Sequence, residues 1–135
     1  MQTLAQRRAQ HALKQVLKHR QAGPREYGNY VSYVQALPAT IVMNGLGQAC
    51  AMLLAKAAGD PKQPHGLLYA DLEDWLCGPD EAAPFRNAPK TDYRLMNAIT
   101  SGDQRAYVRA QAEAIAYLGW LKKFACAFLE RGAEE

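Results

Sequence analysis

The chain has 135 residues and a net charge of +3, a length that suits one domain around one core and is too short for two comfortable ones. Apolar residues make up 49% of it, yet no run approaches the roughly 20 uninterrupted apolar residues of a membrane span. Met1–Arg20 carries charge throughout, without the apolar block of a signal peptide. The expectation is a soluble, cytoplasmic protein with no membrane partner.

The composition is rich in Ala, Leu, Gln and Arg and poor in Ile, Val and Thr, which favours helices because unbranched side chains lose little rotamer freedom there. Thr3 with Gln6 makes a capping box that opens a first helix over about 3–21. Ala5, Ala9, Ala12, Leu13 and Val16 form its apolar side, and Arg7, His11, Lys14 and Lys18 a basic stripe opposite. Gly23-Pro24 stops this helix, and a short second one over about 25–36 carries Tyr27, Tyr30, Val31 and Val34 at helical spacing.

Pro38 suits the first turn of a third helix reaching about Ala58. That helix is apolar on nearly every side apart from Thr40, Asn44 and Gln48, and Gly45 and Ala49 would let a neighbouring helix come close. Gly59 to Pro64 is a loop, followed by a fourth helix over about 66–77 that turns Leu68, Tyr69, Leu72, Trp75 and Leu76 inward. Gly78-Pro79 ends it, and the stretch to Pro89 is the segment best placed for mobility or partner contact. A short fifth helix spans about 91–100. Asp103 then caps the longest helix, to about Arg131, with an apolar seam of Tyr107, Ala110, Ala114, Tyr117, Leu118, Leu121, Ala125 and Phe128. Nothing alternates with period two over a useful length. The expected fold is all-α, one helical domain over 1–135 built as a bundle closed by a long C-terminal helix.

Charge is unevenly spread. Arg7, Arg8, Lys14, Lys18, Arg20 and Arg25 all precede the first acid, Glu26, whereas 71–81 holds Asp71, Glu73, Asp74, Asp80 and Glu81 without a Lys or Arg. A chain polarised in this way can meet a polyanion with its basic side or stack against copies of itself. A solvated surface is the plain alternative.

No catalytic set stands out. Cys50, Cys77 and Cys126 are far apart and belong to no C-x-x-C pair, and His11, His19 and His65 are not at ligand spacing beside them. Free thiols in a reducing compartment are expected, with no metal and no cofactor. His11 reads as a surface residue of the basic stripe. Asn44-Gly45-Leu46-Gly47 lacks the following Lys-Ser/Thr and the preceding strand of a phosphate loop. Its glycines read as close helix packing, with Asn44 and Gln48 as buried or half-buried amides needing partners. Asp71 and Asp74 share a helix face with Glu73 turned away, a solvated acidic edge rather than a Mg²⁺ site.

Two surfaces read as contacts. Arg7, Lys14 and Lys18 lie one or two turns apart, a spacing that follows a phosphate backbone, though so few contacts give only weak, sequence-independent binding. On the outer side of the last helix lie Arg105, Arg109, Ala112, Ala116, Gly119 and Lys123. Small residues at the centre of that face admit another backbone, from this chain or another. Lys122 and Lys123 beside Trp120 can support RNA contact, with the indole stacking on a base if it is not part of the core boundary.

Tyr33–Lys56, with its proline followed by N-G-L-G-Q (Asn44–Gln48), Leu68–Cys77 (L-Y-A-D-L-E-D-W-L-C) and Tyr107–Leu129, with A-E-A-x-A-x-L-x-W-L-K-x-F-A, occur in one order along most of the chain. Together with Arg8–Val16 they resemble the small, all-helical subunit family of the Cmr complex, the RNA-guided, RNA-targeting effector of type III-B CRISPR systems. The resemblance implies assembly rather than catalysis. Family members stack along the effector filament beside the repeated backbone subunit, where guide RNA pairs with target RNA, and target cleavage is assigned to the backbone subunit. Guide pairing supplies sequence specificity, so backbone and shape suffice for the protein. The expected partners are other Cmr subunits, further copies of the chain, guide RNA and target RNA. Arg7, Lys14, Lys18, Arg105, Arg109, Lys122 and Lys123 would face RNA; Asn44, Gln48, Asp71, Asp74, Ala112, Ala116 and Gly119 would face protein. A helical protein–protein adaptor without nucleic acid is the alternative.

Overall fold

A computed structural model describes residues 1–22 and 27–129. Six α-helices occur among them: α1 (Leu4–Ala22), α2 (Gly28–Asn44), α3 (Leu46–Ala57), α4 (Pro64–Leu76), α5 (Arg94–Ser101) and α6 (Gln104–Phe128). The all-α expectation holds. The Gly23-Pro24 break, the expected start of the second helix at 25 and the last turn to Arg131 lie outside the described residues.

The ends of the helices follow local chemistry. Thr3 and Gln6 form the reciprocal capping box, Thr3 N–H donating to Gln6 Oε1 at 2.8 Å and Gln6 N–H to Thr3 Oγ1 at 3.1 Å. Asp103 accepts from Ala106 N–H at 2.8 Å and opens α6. Gln63 does the same for α4, two residues earlier than expected, by accepting from His65 N–H at 2.6 Å with Pro64 at the first helical position.

One core cluster draws side chains from all six helices, with α6 as its spine. Arg8 meets Glu113 and His11 meets Tyr117, so α1 runs in the same direction as α6. Gln35 meets Cys126 while Leu46, just beyond the end of α2, meets Gln111, so α2 runs the opposite way. All five expected inward residues of α4, Leu68, Tyr69, Leu72, Trp75 and Leu76, are buried.

The expected boundary at Pro38 is moved. Helix α2 passes through Pro38 and stops at Gly45, seven residues later. A mid-helix proline forfeits one backbone bond and costs about 3 kcal/mol. Buried Leu37 and Ile41 on either side of it keep the helix on the core. Gly45 ends the helix at φ +89°, and a Cβ there would lie 2.8 Å from the Tyr107 hydroxyl. The backbone therefore favours glycine, and a Cβ would also press on the end of the Tyr107 side chain. The first free N–H groups of α3 are answered from α6: Leu46 N–H donates to Gln111 Oε1 and Gly47 N–H to Tyr107 Oη, both at 3.0 Å. The N-G-L-G-Q string is thus the joint between two helices, and its Asn44 and Gln48 side chains are exposed rather than buried.

The stretch after α4 is tied down more than its prolines suggested. Phe85 N–H donates to Leu76 O at 3.0 Å and Asn87 N–H to Gly78 O at 3.1 Å. Phe85 packs on the core, and Asp80 is held by Arg7.

Candidate functional site

Helix α1 is rotated from its expected pose. It buries Ala12 and Val16, but also Gln15 and His19, while Ala5 is exposed. Acids on α4 and α6 draw the polar side of α1 inward. Asp71 is only 1% exposed and accepts from Gln15 Nε2 at 2.7 Å and Tyr30 Oη at 2.5 Å, with His19 Nε2 at 2.8 Å. The expectation that Asp71 sits on an acidic contact edge is therefore corrected: three buried polar groups enclose its carboxylate, as burial of a charge requires.

The same seam takes up Arg7, Arg8 and His11. Arg7 Nε donates to Asp80 at 2.8 Å. Burial pushes the Asp80 carboxyl up, but the Arg7 hydrogen bond, the Ala82 N–H and the charges of Arg7 and Arg86 hold it below its ordinary value. Arg8 grips both oxygens of Glu113, at 2.6 and 2.8 Å, and Trp75 Nε1 donates to the same carboxylate at 2.9 Å. His11 is no loose surface residue: it bonds Tyr117 Oη and Asp74, each at 2.7 Å, and lies 5.3 Å from the Trp75 ring. The His11 bond holds Asp74 below the usual carboxylate range. Arg7, expected to face RNA, is thus engaged by an acid of its own chain. Glu73, expected to turn away, accepts from Leu95 N–H at 3.0 Å and anchors α5.

Sequence reasoning missed this seam because its acids lie 41 to 105 residues from the donors that α1 and α2 bring to them. One signal was present. Glu113 stands between Ala110 and Tyr117, inside the apolar seam of the last helix, and a lone acid there needs a cation from elsewhere.

The remaining candidates are in two places. Lys14 and Lys18 are exposed and border two grooves between α1 and α4. The larger, about 580 Å³, also brings together Lys62 and Arg94 with Asp71 and Asp74. Arg105, Arg109, Ala112 and Lys123 are exposed on the outer side of α6, with Ala116, Gly119 and Lys122 half-buried. A Cβ on Gly119 would meet nothing within 4 Å, so the small-residue face is not covered at its centre by the described residues. Val42, Met43 and Val108 are exposed as well.

The buried cysteines are unreactive by environment. Burial pushes the Cys50 thiol up to about 12 and the Cys77 thiol to about 11, so both stay protonated near neutrality. Cys126 accepts from Gln35 Nε2 at 3.0 Å. Among the described residues no group of three or more His, Cys, Asp or Glu is placed to hold a metal ion, and no helix is long and apolar enough to cross a membrane.

Comparison with known proteins agrees with the resemblance in the motifs. A solved crystal structure of a CRISPR-associated Cmr5 family protein from Thermus thermophilus is 28% identical, with a TM-score of 0.69 over 96% of this chain and 100% of that one. The sequence model described as CRISPR-associated protein (Cas_Cmr5) matches residues 4–128, from the first residue of α1 to the last of α6. The chain belongs to the CRISPR-associated Cmr5 family.

Proposed function

We propose that the chain is a non-catalytic structural subunit of a type III-B CRISPR ribonucleoprotein, stacked beside the repeated backbone subunit and offering basic surface to guide and target RNA. Family membership over residues 4–128 is the observation that carries this reading. Lys14 and Lys18 on α1, and Arg105, Arg109, Lys122 and Lys123 on α6, are the RNA-facing cations. Arg7 acts indirectly, by fixing α1 against Asp80. Ala112, Ala116 and Gly119, with Asn44, Gln48 and Asp74, face neighbouring subunits or further copies, and Asp71 has no part in contact.

Purification of the tagged protein from its native host tests the assembly, and recovery of the other Cmr subunits with short guide RNAs is the expected result. Charge reversal at Lys14 and Lys18 should weaken RNA retention without changing the fold. Each lost phosphate contact lowers the slope of log affinity against log salt by roughly 0.7 on single strands. Capture of an unrelated protein free of RNA would replace this reading with that of a helical adaptor, for which exposed Val42, Met43 and Val108 would be the contact.

A further inference from the structure

Trp120, Phe124 and Phe128 succeed one another at four-residue intervals along α6, which brings side chains onto one side of a helix. The Trp120 and Phe124 rings are 5.9 Å apart at 29°, and the Phe124 and Phe128 rings 6.3 Å apart at 31°. Phe124 packs against the core. Trp120 is 36% and Phe128 38% exposed, whereas the other tryptophan, Trp75, is 4% exposed.

Among the described residues of α6 the exposed charge has one sign. Glu113 is the sole acid of α6, and it is buried and gripped by Arg8. Every exposed charge that α6 presents is therefore a cation: Arg105, Arg109 and Lys123. Lys123 is three residues from Trp120, on the adjacent part of the surface. Ala116, four residues before Trp120, is too small to cover the ring. Partly open aromatic rings among cations, with no exposed carboxylate on the helix, complement a polyanion whose monomers carry flat π-faces. A protein partner would need acids placed around its own apolar contact, and the row offers no donor pattern that selects one.

We infer that Trp120, continued by Phe124 and Phe128, is a stacking site for unpaired bases of single-stranded RNA, with Lys123 holding the adjoining phosphate and Arg109, about three helical turns away, a more distant one. This rests on the RNA-contact reading above and assigns it a chemistry, stacking of bases in addition to charge. Because stacking needs only a π-face, the site takes any base.

Tryptophan emission reads the site directly. The full-length chain is titrated with a 20-nucleotide oligouridylate at low salt, beside Trp120→Phe and Trp120→Ala variants. Quenching in the native chain that disappears in Trp120→Phe is the expected result, since Trp75 is buried and its emission should not respond. Affinity should fall by about 5- to 100-fold in Trp120→Ala and much less in Trp120→Phe, which keeps a ring. RNA binding with unchanged emission and unchanged affinity in Trp120→Ala would overturn the stacking site and leave charge contact through Lys14 and Lys18 standing. Absence of RNA binding in every variant, with emission changing only when other Cmr subunits are added, would overturn both and assign the row to protein contact.

Discussion

Helices α1 and α6 run side by side in one direction, and both carry cations that a sequence reading marks for RNA. The structure divides them. On α1, Arg7, Arg8, His11 and His19 are bonded to Asp80, Glu113, Asp74 and Asp71, which leaves Lys14, Lys18 and Arg20 on the outside. On α6 the only acid is turned inward, and Arg105, Arg109 and Lys123 stay exposed. A basic stripe therefore indicates surface potential only after the chain's own buried acids are subtracted. Two arginines of α1, Arg7 and Arg8, hold the helix in place, whereas the exposed cations of α6 are open to a partner.

The largest expected effect tests the structural side of this contrast. Asp71→Ala strands Gln15, His19 and Tyr30 in the interior and should cost about 3–5 kcal/mol, as removal of one member of a buried polar network does. Urea unfolding followed by circular dichroism measures it. A loss under about 1 kcal/mol, the size of a surface ion pair, would mean that α1 is not held by this seam.

Gly45→Ala comes next. It puts a Cβ 2.8 Å from the Tyr107 hydroxyl at φ +89° and should cost about 1–3 kcal/mol. Tyr107→Phe, which removes only the bond to Gly47 N–H, should cost about 1 kcal/mol. If Tyr107→Phe restores part of the loss in the double variant, the strain is located at that contact.

Acid should loosen α1 before it affects the apolar core. The folded-state values of Asp74 and Asp80 are both depressed below 3.8. Their contribution is present above the unfolded value and is lost as pH falls below it through the folded values. The urea midpoint should therefore drop below about pH 4, with a shallower slope in Asp80→Asn. Equal slopes in both proteins would remove Asp80 from the contacts that hold α1.

The smallest effect concerns the open face of α6. A Cβ on Gly119 meets nothing, so Gly119→Ala should stabilise the isolated chain by about 0.5–1 kcal/mol through helix propensity. Co-purification of the other subunits by Gly119→Leu should weaken if another backbone lies against that face. Undiminished assembly would separate the small-residue stripe from partner contact.

Much of the architecture is local in origin and was legible. The Thr3–Gln6 box, the Asp103 cap, the inward side of α4 and the apolar seam of α6 all come from residues within a turn or two of one another. Motif order carried the family. The break between α2 and α3 was misplaced, because Pro38 is the stronger local signal while the preference for glycine at 45 comes in part from Tyr107, 62 residues later.

Local pattern in the chain thus determined that the protein is helical, roughly where its helices lie, and to which family it belongs. Only the tertiary structure decided which charges remain available. A helical wheel ranks residues by hydrophobicity, and on that scale Arg8, His11, Gln15 and His19 belong outside. Folding brings α1 against Asp71, Asp74, Asp80 and Glu113. An acid and a base far apart in sequence satisfy each other at 2.6–2.8 Å, which no periodicity along one helix can register.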